Sequence, residues 1–195
     1  TGGDSRTTQV KVADVNDDGE LDLVVGTESE LVLMLGRPLH TTSGMPTAFD
    51  GAIKVKVGSL AEAPAPFANS NAHSVLALEV ADMDGDGLYD LVVSFDPDTR
   101  FGASRGGKYV FFNSRETSGA PLSVFDAKSS ANWASAAGVK FGEPSEDKER
   151  VESLAIFDAN NDFILDIVYS PKRDGTTMPS RMVLGGFLGA RAPAV

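Results

Sequence analysis

Cysteine is absent from the 195-residue chain. That excludes disulfides, thiolate zinc sites and a cysteine nucleophile, and leaves the compartment open on this count. The Asn-x-Ser/Thr acceptor triplet for N-glycans is absent too. No run approaches the roughly 20 continuous apolar residues of a membrane-crossing helix, so a chain that does not span a membrane is expected. Basic residues are scarce: 17 Lys and Arg face 28 Asp and Glu, a net charge of -11. Nucleic acid is therefore excluded as a partner, because its phosphates require Lys and Arg gathered on one face. Only two histidines occur, His40 and His73, and both read as loop or packing residues. Trp133, the one tryptophan, reads as the anchor of a short helical turn over Ala131 to Ala137, stopped by Gly138. No basic, apolar, small-residue leader opens the chain. It starts at Thr1 rather than Met, so either a removed leader or a fragment is expected.

What the chain does have is acid, and the acid is clustered. Twelve of the 28 acidic residues fall in three short windows around Asp14–Asp22, Asp82–Asp90 and Asp158–Asp166. Packed that closely, carboxylates repel one another unless something positive sits between them. The windows lie inside three repeats: VKVADVNDDGELDLVVG from Val10, LALEVADMDGDGLYDLVVS from Leu76 and SLAIFDANNDFILDIVYS from Ser153. Each repeat has an apolar strand, a nine-residue loop Asp-x-Asp/Asn-x-Asp-x-x-x-Asp, and a second apolar strand. The loops begin at Asp14, Asp82 and Asp158, 68 and 76 residues apart. That period suits a four-stranded sheet with its connections, the size of a propeller blade.

The other strands complete the unit. Glu30 to Leu35 and the alternating Ile53 to Val57 read as third and fourth strands of the first repeat, with Lys54 and Lys56 facing solvent. Lys108 to Phe112 and Leu122 to Phe125 take those places in the second. Arg181 to Leu184 gives a third strand in the last repeat, which lacks residues for a fourth. The second strands (Leu21 to Val25, Leu91 to Val93 with Phe95, Ile167 to Tyr169) are almost continuously apolar, which suits strands covered on both faces. Pro64, Pro66, Asn69 and Asn71 mark a connecting loop, and the charged run Glu143 to Glu149 reads as a solvated one. The fold expected is all-β: three four-stranded antiparallel blades of β-propeller type, the third incomplete, forming an open arc or part of a larger propeller. Approximate blade limits are 8–60, 73–126 and 150–190 within a single repeat domain.

The loops have the chemistry of a hard-cation site. Calcium takes 6 to 8 oxygen ligands at about 2.3 to 2.6 Å, and a curled loop presents alternate side chains to one point. The first loop offers Asp14, Asn16, Asp18 and Asp22, with the Glu20 carbonyl. The second offers Asp82, Asp84, Asp86 and Asp90, with the Leu88 carbonyl. Gly19 and Gly87 hold the sixth position, where a sharp turn favours positive φ. The third loop keeps Asp158, Asn160, Asp162 and Asp166 but has Phe163 at the sixth position, so a bulky residue there must accept strain or change the turn. Two calcium ions are expected, with occupancy of the third loop open.

The opening is that of an EF-hand, but Val25 and Val93 stand where an EF-hand needs Glu, and strands follow where it needs a helix. With the ninth-position Asp and a strand behind it, the pattern resembles the calcium loops of the FG-GAP/VCBS repeat family, found in integrin α-subunit propellers and many secreted proteins. Phe101-Gly102 and Gly119-Ala120-Pro121 come too late in the second repeat for the FG-GAP form, so VCBS-like is the better description. The resemblance covers the three repeat cores. It implies a calcium-binding propeller whose loops serve protein or glycan contacts.

No nucleophile elbow, phosphate loop or histidine pair is found, and each acid pair is accounted for as a ligand set, so no enzyme activity is expected. Three repeats cannot close a ring of four to eight blades. The expectation is therefore a protein-interaction or structural module that self-associates or joins a protein partner. Millimolar-range calcium loops place it outside the cytosol, secreted, on a surface or in an organelle lumen. The alternative is a carbohydrate-binding module, or an accessory domain of a polysaccharide-active enzyme.

Overall fold

Val, Leu, Ile and aromatic residues recur in each segment flanking the acidic loops, and β-branched and aromatic side chains fit a pleated, half-buried surface. In the computed structural model, residues 6–28, 31–36, 53–55, 74–96, 107–113, 139–142, 149–173 and 175–187 are described. They form three antiparallel sheets, none of them closed, and no α-helix occurs among them. The all-β class is as expected.

The first sheet has the order β1 (Thr7–Ala13), β2 (Asp22–Thr27), β3 (Leu31–Met34), β4 (Ile53–Val55). The second has β5 (Val75–Ala81), β6 (Asp90–Phe95), β7 (Gly107–Phe111), β8 (Val139–Lys140). In the third, β10 (Asp166–Arg173) pairs with β9 (Arg150–Phe157) and with both β11 (Thr176–Thr177) and β12 (Arg181–Val183), before a 3-10 turn at Gly185–Phe187.

The sheets stack in chain order. β1 and β2 pack on β5, and β5 and β6 pack on β9. Contacts between β1 and β5 keep the repeat register: the Thr8 hydroxyl donates to the Val75 carbonyl (2.7 Å), and Lys11 pairs with Glu79 (2.8 Å). The two strands thus run the same way, and the loops after them emerge at the same end. Cross-strand rows show which face meets which neighbour. Rows Leu78–Val93–Tyr109 and Val80–Leu91–Phe111 of the second sheet pack against Val24, Leu31 and Leu33 of the first. Row Ile156–Ile167–Val183 of the third packs with Val92 and Val110 on the other face of the second. Every residue of β6 is consequently buried. From Asp22 to Gly26, β2 alternates between buried and half-buried, because among the described residues only one of its faces is covered by a neighbouring sheet. At Gly26 the first two sheets approach closely: a Cβ there would lie 2.5 Å from Val75 Cγ1.

Two expectations change. The fourth place in the second sheet is taken by β8, whose Val139 and Lys140 pair with Val110 and Tyr109. It is fixed there by the Phe141 amide on the Lys108 carbonyl (3.0 Å) and by the Phe141 ring edge-on to Tyr169. Glu149, read as the end of a solvated run, is buried. Its carboxylate is held by the Arg181 guanidinium through both oxygens and by Arg173 at 3.3 Å. Leu122 to Phe125, Ala131 to Ala137 with Trp133, Pro64 to Asn71, Lys56, Glu143, His40 and His73 lie outside the described residues, as does the side chain of Lys54.

Candidate metal centre

Each acidic loop joins the first and second strands of its sheet, and the three are built alike. The first-position carboxylate caps the loop from within. Asp14 accepts the Asp18 and Gly19 amides (3.0 and 2.8 Å), Asp82 the Asp86 and Gly87 amides (3.1 and 2.9 Å), and Asp158 the Asp162 and Phe163 amides (3.1 and 2.8 Å). The fifth-position carboxylate then accepts the amide two residues on: Asp18 from Glu20, Asp86 from Leu88 and Asp162 from Ile164, each at 2.9 Å. These are turns that Asp and Asn favour. They curl the chain so that side chains one, three and five converge.

The backbone conformation confirms the likeness of the loops. The fourth position is left-handed in all three, at Asp17 (φ 59°), Gly85 (φ 76°) and Asn161 (φ 60°), and so is the sixth, at Gly19 (φ 90°), Gly87 (φ 87°) and Phe163 (φ 67°). Asp and Asn tolerate that region, whereas a bulky aromatic does not. Phe163 accepts the strain rather than changing the turn, and its side chain is 97% exposed.

In the second loop the carboxylate oxygens of Asp82, Asp84 and Asp86 lie within 4.8 Å of one another, an arrangement that can hold a metal ion. The first and third loops have Asn at the middle position. There the Asn16 amide donates to Asp18 Oδ2 (2.8 Å) and the Asn160 amide to Asp162 Oδ2 (3.0 Å), which supplies part of the positive charge the acids require. The second loop has no such donor. The Asp84 carboxyl is raised above its ordinary value, first by burial and then by Asp86 and Asp82. The donors are all oxygen, from hard carboxylates, which suits a hard cation and not a soft metal.

The ninth-position aspartates are the most buried members of each set, and they tie the loop to the sheet. Asp22 accepts the Val15 and Gly36 amides (2.9 and 2.7 Å), Asp90 the Met83 and Asn113 amides (both 2.7 Å), and Asp166 the Ala159 and Gly185 amides (both 2.9 Å). Burial pushes the Asp90 carboxyl up to about 7 against the lowering effect of its two amide donors, with Asp84 and Asp86 adding to the rise. Asp22 is raised for the same leading reason. A carboxylate oxygen has more than one lone-pair direction, so an amide bond leaves room for a cation on the same atom.

Gly36, Asn113 and Gly185 were not singled out in the sequence, although each lies two residues beyond the end of β3, β7 or β12. The signal was the repeated ending LMLG, VFFN and MVLG. A Cβ at Gly36 would lie 2.4 Å from the Leu21 carbonyl oxygen, and one at Gly185 2.1 Å from that of Leu165. Asn113 answers the same need differently. Its side-chain amide donates to the Val15 carbonyl of the first loop (3.0 Å) and to Tyr89 (3.3 Å), linking two candidate sites.

No protein-family model matches the chain, and no curated protein matches it.

Proposed function

We propose that the chain is a non-enzymatic, calcium-binding repeat module with VCBS-like, propeller-type blades, acting in protein interaction or assembly outside the cytosol. The observation that carries this reading is the second loop: three converging carboxylates with no internal cation, and a fourth, Asp90, behind them. A divalent ion there would offset the burial that chiefly raises Asp84 and the repulsion from Asp86 and Asp82 that adds to it. Side chains of Asp82, Asp84, Asp86 and Asp90 with the Leu88 carbonyl would hold it. Asp14, Asn16, Asp18, Asp22 and the Glu20 carbonyl would hold a second ion, and Asp158, Asn160, Asp162 and Asp166 are the candidates for a third. The ion would supply charge balance and rigidity, not chemistry.

Three sheets stacked face to face, each with a similar loop between its first two strands, support the blade reading. Among the described residues no helix is long and apolar enough to cross a membrane. The test is thermal denaturation in chelator and in millimolar calcium, with magnesium excluded. Calcium should raise the midpoint by mass action, and Asp86→Ala should remove a large part of that rise, while Asp17→Ala leaves it nearly intact. An unchanged midpoint in the wild-type chain would overturn the calcium assignment.

A further inference from the structure

We infer that the face of the first sheet turned away from the second is a docking surface for the outward face of the third sheet of a second copy of this chain. This names the partner left open above and rests on the interaction part of that reading, not on calcium.

The stack follows one rule twice. In the second sheet, rows Leu78–Val93–Tyr109 and Val80–Leu91–Phe111 are buried against the sheet before. In the third, Leu154, Ile156, Ile167, Tyr169 and Val183, at the corresponding positions, are again packed against the sheet before. The first sheet carries the same rows: Val10–Val25–Val32 and Val12–Leu23–Met34. They are as apolar as their counterparts, but among the described residues no sheet precedes them. Val10 is 50% exposed and Val12 57%, and the other four are half-buried.

The opposite end mirrors this. The row that faces the next sheet contains Val24 and Leu33 in the first sheet and Val92 and Val110 in the second, all buried. Its counterpart in the third is Ala155–Val168–Met182, flanked by Phe157. Phe157 is 48% and Met182 51% exposed. One end therefore has the surface that accepts a preceding sheet, and the other has the surface that accepts a following one. Monomeric proteins rarely leave contiguous apolar faces of this kind uncovered. Surfaces that are complementary but different give head-to-tail association, which closes into a ring or extends.

Sedimentation equilibrium on the wild-type chain, Val12→Lys, Met182→Glu and an equimolar mixture of the two variants tests this. The substitutions are at half-exposed sites, and circular dichroism melting verifies that each variant folds. Wild type should self-associate at micromolar concentration, and each variant alone should be monomeric, because each has lost one of the two surfaces. The mixture should form a one-to-one dimer through the surfaces that remain. A monomeric wild type would overturn the proposal, pointing to a different occupant such as another segment of a longer polypeptide. Variants that stay monomeric when mixed would overturn the head-to-tail arrangement in favour of a self-complementary face. Measuring the calcium-induced melting shift on the same samples separates failure here from failure of the calcium assignment.

Discussion

Replacing Phe163 with glycine should stabilise the protein, an unusual outcome for removal of a large apolar side chain. Phe163 has φ 67°, in the left-handed region, while the equivalent positions carry Gly19 and Gly87. An L residue there costs roughly 1 to 2 kcal/mol. Glycine removes that strain but adds backbone entropy to the unfolded chain, worth roughly 0.5 to 1 kcal/mol. The side chain is 97% exposed, so almost no burial is lost. The difference between the midpoints of those ranges is a net gain of about 0.75 kcal/mol. For a chain of this size 1 kcal/mol corresponds to a melting shift of about 2 to 4 °C. Thermal unfolding followed by circular dichroism, in chelator so that metal does not enter, measures it. Phe163→Ala is the control, because alanine keeps the Cβ that causes the strain and should gain little. A glycine variant no more stable than wild type would refute the strain argument. An alanine variant that gains as much as glycine would refute it as well, assigning the effect to loss of an exposed aromatic.

Gly26→Ala should lower stability by about 1 to 3 kcal/mol in urea unfolding, since its Cβ would press on Val75 where the first two sheets meet; adding Val75→Ala should recover part of the loss, and no recovery would place the clash elsewhere. Glu149→Ala should cost about 2 to 3 kcal/mol by the same assay, less than a fully buried pair because Arg173 and Arg181 are partly exposed; a neutral variant would show that the arginines find other partners at no cost. The raised Asp90 carboxyl, pushed to about 7, makes the folded state hold a proton that the unfolded chain releases near pH 4. Its contribution to stability is therefore fully present below about pH 4 and is lost as pH rises through 7. A bound cation favours the ionised form, so the calcium-induced rise in melting temperature should be larger at pH 8 than at pH 6, and equal rises would contradict this.

Local pattern carried the loops and their flanking strands. The apolar segment opening at Val10 and the apolar runs Leu91–Val93 and Ile167–Tyr169 mark strands without help from the rest of the chain, and they lie in β1, β6 and β10. The left-handed turns were legible from Gly19 and Gly87, and the choice between strain and a changed turn at Phe163 from its holding the same loop position. Long-range partnership was not legible. β8 is two residues long, too short for any periodicity, and its pairing with β7 spans a separation no turn signal bridges. Glu149 sits at the end of a charged run, and its burial is made tolerable by the guanidinium groups of Arg173 and of Arg181, the latter 32 residues later. Gly36 and Gly185 look like ordinary turn glycines in sequence. Their role depends on how closely the chain at Leu21 and Leu165 approaches them.

Calcium at the acidic loops is most directly tested by isothermal titration calorimetry of the metal-free wild-type chain and of an Asp84→Ala/Asp86→Ala double variant. Wild type should bind at least two calcium ions per chain, with dissociation constants of roughly 0.1 to 1 mM if the loops behave as extracellular modules. The double variant should bind one fewer and still unfold cooperatively. Absence of binding by wild type up to 10-fold above that range, or the same stoichiometry in both proteins, would contradict a calcium site at Asp82, Asp84 and Asp86.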